Sequence, residues 1–162
     1  MSTLEERVAA LEAVIASRPA PASTPPDADD DDAFWLLDQL RRRHPEGAIV
    51  FGGSLTAGKS EVAWQWGVGA GELCEQDWTP AAARLDALSH PVRLRLLQRV
   101  LNGAGATSEL ADDPTLGTTG QLHHHLRALV AGGWLMSVGR AQWVVPPPRI
   151  VPLLAVLAAT LS

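Results

Sequence analysis

The stretch RLDALSHPVRLRLLQRVLNGAGATSELADDPTLGTTGQLHHHLRALVAGGWLMSVGRAQWVV, residues 84–145, decides how this chain folds. Leu85, Leu88, Val92, Leu96, Leu97, Val100 and Leu101 recur at the spacing of a helix with one apolar face. Thr107–Asp113 suits one further short helix. Thr118 and Gln121 have the spacing of a capping box, in which the hydroxyl accepts from the third amide and the Gln side chain returns to the cap amide. Behind them Leu122, Leu126 and Leu129 form an i, i+4, i+7 seam, and Gly132-Gly133 stop the helix. Trp134–Val138 and Ala141–Val145 then read as two strands around Gly139-Arg140.

Three short helices followed by a hairpin are the layout of a winged helix-turn-helix, which offers one exposed helix to the DNA major groove. At about 100° per residue, Gly120, His124 and Arg127 lie opposite the leucine seam, with Thr119, Gln121, His123 and Ala128 beside them. The candidate DNA-binding residues are therefore Thr118, Thr119, Gln121, His123, His124 and Arg127, joined by Arg140 at the hairpin tip. Gly120 lets a backbone approach the groove closely. Gln121 either only closes the cap or also reaches a base. His125 sits beside the seam, as a partly buried histidine or as a base reader, and Arg140 is a phosphate contact or an ordinary charged turn. Adjacent helix positions point about 100° apart, so one metal ion cannot take all three histidines. No metal site and no catalytic residue is expected.

Composition fits a binding protein. The chain has 162 residues, 46% of them hydrophobic, which is enough for a core. Cys74 is the single cysteine, which excludes an internal disulfide and a multi-thiolate metal site. The net charge of −5 is unevenly spread: residues 1–80 carry six Lys/Arg and fourteen Asp/Glu, residues 81–162 seven Arg and four Asp/Glu. Four of the five histidines also lie in the second half. The polar, acidic start lacks a secretory apolar region, and the run Ile150–Leu161 is too short to span a bilayer and contains Pro152. The expectation is a cytoplasmic protein, nucleoid-associated when bound to DNA, without membrane contact. Twelve arginines against one lysine, with abundant Ala and Pro, fit a high-GC bacterial genome.

The N-terminal half divides by composition. In residues 1–17, Leu4, Val8, Leu11 and Ile15 step as an a/d seam, a short coiled-coil helix suited to pairing with a second copy. Residues 18–32 hold four prolines and an aspartate run, a disordered linker. Residues 33–78 read as a helix plus β-hairpin extension. The helix is Ala33–His44 with Phe34, Leu36, Leu37 and Leu40 inward, and the strands are Ala48–Phe51 and Val62–Val68 around a Gly-rich loop. A turn-rich connection follows over Gly67–Asp77. Trp35, Trp64, Trp66 and Trp78 make either a small satellite core or a place for an apolar effector or protein partner. This extension is a dimer brace or an effector region, and residues 79–162 are the DNA-binding domain with a C-terminal dimerisation helix.

Gly53-Ser54-Leu55-Thr56-Ala57-Gly58-Lys59-Ser60 matches the phosphate-binding pattern GxxxxGK[ST]. In such a loop Gly53, Gly58, Lys59 and Ser60 would cradle a nucleotide, and the next segment would be a helix facing the phosphates. Here Val62, Trp64, Trp66 and Val68 alternate as a strand, so a hairpin is expected instead and no cofactor is assigned. A nucleotide-binding switch stays as an alternative function, beside a winged-helix protein-interaction module.

Leu85-Asp86-Ala87-Leu88-Ser89-His90-Pro91-Val92-Arg93-Leu94-Arg95-Leu96-Leu97 resembles the opening of ArsR-type winged helix-turn-helix repressors. Leu110-Ala111, the stretch from Thr118 to Leu129, Gly133-Trp134-Leu135 and Gly139-Arg140 resemble the same family's second helix, recognition helix and wing. The resemblance covers roughly residues 80–161. It implies a homodimeric transcriptional repressor on double-stranded DNA, released by an effector. It also implies that Thr118, Thr119, Gln121, His123 and His124 face DNA. Pro147–Leu161 would be the dimer helix, through Ile150, Leu153, Leu154, Val156, Leu157 and Leu161. The family's metal sensors use paired cysteines or Asp/His sets on the terminal helix, and this chain has neither. The expected fold is mainly α with small β, an α+β chain.

Overall fold

A computed structural model of the chain describes residues 34–57 and 60–161. The expected helix over 1–17, the linker over 18–32, and Gly58 and Lys59 lie outside the described residues. The first element, α1 (Trp35–Arg43), ends in Arg41-Arg42-Arg43, where positive charge complements the carbonyl end of the helix dipole. No residue of α1 is buried. Its expected inward face of Phe34, Leu36 and Leu37 is exposed and Leu40 half-buried. The physical reason is that α1 falls outside the compact unit Glu46–Leu161 that contains the core.

Within that unit, β1 (Ala48–Ala57) and β2 (Ser60–Gly69) pair antiparallel along their whole length, from Ala48 opposite Gly69 to Ala57 opposite Ser60. The strands are longer than the sequence pattern suggests: the expected Gly-rich loop is itself strand as far as Ala57. Ile49, Phe51, Gly53 and Leu55 meet Val68, Trp66, Trp64 and Val62 across the ladder, so one face is apolar. Phe51 packs tilted against both Trp64 and Trp66, at 5.4 and 5.6 Å between ring centres. The turn-rich connection contains a further helix, α2 (Ala70–Glu75), and Trp78 donates its indole N–H back to the carbonyl of Leu73 at 2.8 Å.

A 3-10 turn (Thr79–Ala81) leads into α3 (Ala82–Leu88) and α4 (Pro91–Leu101). The single helical period from Leu85 to Leu101 is thus two helices. Pro91 lacks the amide a continuous helix would need and forces His90 to be extended, at φ −113° and ψ 128°. His90 then caps the new helix, its Nδ1 accepting from the amide of Val92 at 3.2 Å. Leu85, expected inward, is exposed on α3, while Ala87 and Leu88 are buried. Next come α5 (Thr107–Ala111), shorter than expected, a 3-10 turn (Pro114–Leu116) and α6 (Thr119–Ala131).

The second hairpin pairs only β3 (Met136–Ser137) with β4 (Trp143–Val144). Its connection bends at Gly139 (φ +150°) and at Ala141 (φ +58°), where the ladder cannot continue. β4 also leans on the segment before α5: Trp143 donates its amide to Gly105 at 2.9 Å, and Thr107 donates to Ala141 at 2.9 Å. A Cβ on Gly105 would stand 2.8 Å from the Trp143 carbonyl, so the close approach requires glycine. Last is α7 (Pro147–Leu161).

The core is a leucine cluster. Leu96, Leu97, Leu110, Leu116, Leu122, Leu126, Leu129, Leu135 and Leu153 are almost fully buried, and Trp134 closes one side with its indole N–H on the carbonyl of Arg84 at 2.9 Å. Helix α7 serves two neighbours. Ile150 and Leu153 enter the leucine cluster, and Val151 lies against Gly53 of β1. The chain is therefore a mixed α+β protein whose described residues form seven α-helices and two antiparallel hairpins. No helix among the described residues is long and apolar enough to cross a membrane.

Gly132 tests the fit at the end of α6. A Cβ there would stand 2.5 Å from the Cβ of buried Ala87, whereas one on Gly120 meets nothing within 4 Å. Gly132→Ala should destabilise the fold by about 1–3 kcal/mol through overpacking. Gly120→Ala should leave it unchanged or stabilise it by up to about 1 kcal/mol through helix propensity. Urea unfolding of the two variants checks both signs.

Candidate nucleic-acid interface

Helix α6 is fixed at both ends by its own sequence. At the start Thr118 donates its amide to Gln121 Oε1 at 2.8 Å, and Gln121 donates its amide to Thr118 Oγ1 at 3.4 Å. Gln121 therefore closes the cap, and its side-chain carbonyl is committed there. Gly117, at φ +85°, turns the chain into this cap. At the far end Gly133 takes φ +72°, and Trp134 donates its amide to the carbonyl of Leu129 at 2.9 Å.

Between these ends the seam Leu122, Leu126 and Leu129 is 0–1% exposed. Thr118, Thr119, Gly120, Gln121, His123, His124 and Arg127 are all exposed. The structure thus gathers six of the seven predicted contact residues at the start and along the outer face of one helix. Arg127 has no ion-pair partner among the described residues. The first amides of α6, those of Thr119 and Gly120, have no acceptor among the described residues and point along the positive end of the helix dipole. Arg140, the seventh residue, is exposed in the Val138–Gln142 connection and likewise lacks an ion-pair partner among the described residues. That connection is closed by the Val138 amide on Gln142 at 3.1 Å and by the Ser137 hydroxyl on Gly139 at 2.9 Å.

From Pro114 to the end of the chain there is no Asp or Glu, while Arg127, Arg140, Arg149 and three histidines fall in that segment. The last acid before it, Asp113, accepts from the hydroxyl and the amide of Thr115, and these bonds hold its carboxyl below the usual range. Arg95 and Arg99 both face its other oxygen, at 3.8 and 3.9 Å. The carboxylate nearest α6 in sequence is thus already matched by two arginines on α4.

One group was not legible in the sequence as a cluster. His125 is half-buried, with its ring 4.6 Å from His90 and 5.6 Å from His124. Its Nδ1 and the Nε of Arg93 are both buried without a partner. Arg93 is otherwise held by the carbonyl of Asp86 at 2.7 Å. The cluster joins α4 to α6, and only the break at Pro91 brings His90 there. No three His, Cys, Asp or Glu side chains among the described residues are grouped to hold a metal ion.

The described part of the phosphate-loop match, Gly53–Ala57 and Ser60, is strand. Gly53 pairs with Trp64 within the ladder, Ser60 begins β2, and no helix follows. Searches against family models, curated proteins and solved structures found no match to this chain.

Burial pushes the His125 imidazole pKa below the ordinary histidine value, and His90, His124 and Arg93 push the same way. The unfolded chain then binds the proton first, so this group's stability term is complete above about pH 6.5 and is lost as pH falls below it. Thermal melts should show the melting temperature falling as pH drops below the ordinary histidine pKa of about 6.5, with a flatter fall in His125→Gln.

Proposed function

We propose that residues 79–162 form a winged helix-turn-helix DNA-binding domain and that the protein is a sequence-specific regulator of transcription. One observation carries this reading. A capped helix buries its whole leucine seam and presents Gly120, His123, His124 and Arg127 outward, in a segment without a single carboxylate. In this reading α5 and α6 are the helix-turn-helix, α6 enters the major groove, and the Val138–Gln142 connection is the wing. His123, His124 and Arg127 contact base edges, with Thr118, Thr119 and Gln121 at the groove wall. Arg140 and the free amides at the start of α6 hold phosphates.

The resemblance to ArsR-type repressors supports the same assignment and adds a homodimer on a pseudo-palindromic site. The dimer surface would differ from the one the resemblance implies. Ile150 and Leu153 are spent in their own chain's core, while Leu161 stays exposed on α7 and Ile49 and Trp66 on the first hairpin. The chain acts by binding, not by catalysis. Exposed Trp35 and Trp78 keep an effector or partner role open for the N-terminal region. The net charge of −5 favours the second reading, a winged-helix module that binds protein.

Duplex selected by the protein from a random library, titrated by fluorescence anisotropy at several salt concentrations, separates the readings. For the DNA-binding reading, affinity falls steeply as salt rises. His124→Ala with Arg127→Ala should weaken the selected site by about 1–3 kcal/mol per lost base contact while leaving the melting temperature unchanged. Arg140→Ala should weaken all sequences alike and reduce the salt slope by about one. Unchanged affinity in the double variant, or weak binding independent of salt, overturns the assignment.

A further inference from the structure

Between β1, α4 and α7 the fold leaves an open cavity of about 740 Å³. That lies within the range of about 300–1,000 Å³ typical of small-molecule sites. Its wall is largely aliphatic, formed by Leu55, Leu94, Leu97, Leu101, Leu153 and Leu157. One side is polar: Arg95 and Gln98 on α4 and Asn102 at its C-terminal cap follow at i, i+3 and i+7 and so share one stripe. The side-chain amides of Gln98 and Asn102 make no hydrogen bond among the described residues.

Arg95 is exposed and shares its acidic partner with a second arginine. Its Nε lies 3.8 Å from Asp113 Oδ2, and Arg99 Nε lies 3.9 Å from the same oxygen. If Arg95 turns into the cavity, Asp113 keeps a counter-ion and no carboxylate is stranded. An apolar helix or strand seated here would bury the Gln98 and Asn102 amides without partners, which is costly. An occupant with an anionic head satisfies those donors and pairs with Arg95.

We propose that this cavity is a binding site for a small amphipathic acid. Its hydrocarbon or aryl body lies against the leucines, and its carboxylate meets Arg95 between the Gln98 and Asn102 amides. Asp113 opens the turn that leads into α6, so drawing Arg95 away removes one of the two ion pairs between α4 and that turn. The ligand would thereby act as the regulator's effector; this last role alone rests on the DNA-binding reading.

Isothermal titration calorimetry of the full chain with decanoate and with 1-decanol, without DNA, tests the site. Decanoate should bind saturably at one per chain. Arg95→Gln should weaken decanoate by about tenfold, the loss of one charge-assisted contact, and leave 1-decanol unchanged. Leu157→Trp, which fills the cavity, should abolish both while circular dichroism melting stays the same. The proposal is overturned by absence of saturable decanoate binding, or by wild-type binding in Leu157→Trp. It also fails if Arg95→Gln leaves decanoate affinity unchanged. If decanoate gives no heat and Leu157→Trp converts a dimer to a monomer in sedimentation, a second copy fills the cavity and the proposal falls. Since no readout involves DNA, failure here leaves the DNA-binding assignment to its own test.

Discussion

The rotational phase of α6 governs the outer surface of this protein. Leu122, Leu126 and Leu129 are buried to within 1% of completely. Burying one leucine contributes about 1.5–3 kcal/mol over leaving it in water. A turn of the helix by one residue would expose part of that seam and press His123 and Arg127 toward the leucine cluster, where an unpaired polar group costs several kcal/mol more. Both effects have the same sign, so the helix has one admissible phase. The Thr118–Gln121 box and the Gly133 terminus then fix its length. The outward set of side chains follows from the inward one.

The same logic explains a motif that invites a different reading. Gly53 is the first residue of a match to a phosphate-binding loop, yet it lies in a strand under α7. A Cβ at that position would approach Val151 Cγ1 to 3.2 Å. The small residue is needed so that the helix can settle on the sheet, since closer contact raises the number of dispersion partners on both sides. Gly67 instead makes room within the hairpin for Val50, its partner across the ladder, where a Cβ would stand 3.0 Å from Cγ2. Gly53 looks like phosphate chemistry in one dimension and is a packing residue in three. In the sequence, the alternation after Ser60 where a phosphate loop needs a helix, and the lack of a following apolar run ending in Asp, distinguish the two readings.

What was legible in the sequence was what is encoded locally. The cap, seam and glycine stop of α6 sit within sixteen consecutive residues, and the helix emerges with the expected bounds. The break at Pro91 was also local, but the apolar period on either side of it hid the change of axis, and Leu85 was assigned to a face it does not occupy. Other features depend on distant partners. Helix α2 is six residues with glycine inside, too weak in propensity to stand out. The second hairpin is short because Gly139 and Ala141 bend it, and it is steadied by Gly105 and Thr107, more than thirty residues earlier in the chain. The terminal helix corresponds to a dimer helix only through the resemblance; its Ile150 and Leu153 find partners inside the same chain, while Leu154 and Leu161 stay exposed. The cluster of His90, Arg93 and His125 required two helices to meet and had no one-dimensional signal.

Charge gives the last step of synthesis. A total of −5 would repel a polyanion if it acted from the centre of the molecule. At physiological salt, however, fields between exposed charges fade over about 8 Å, so a duplex responds to the side chains it touches. The acids crowd the first half of the sequence, and none follows Asp113. Asp113 itself is occupied by Thr115, Arg95 and Arg99, which leaves little of its field for α6. His123, His124 and Arg127 therefore stand on a helix with no carboxylate of its own. A protein that is acidic overall can offer a basic face because sequence position, through the fold, decides which charges share a surface.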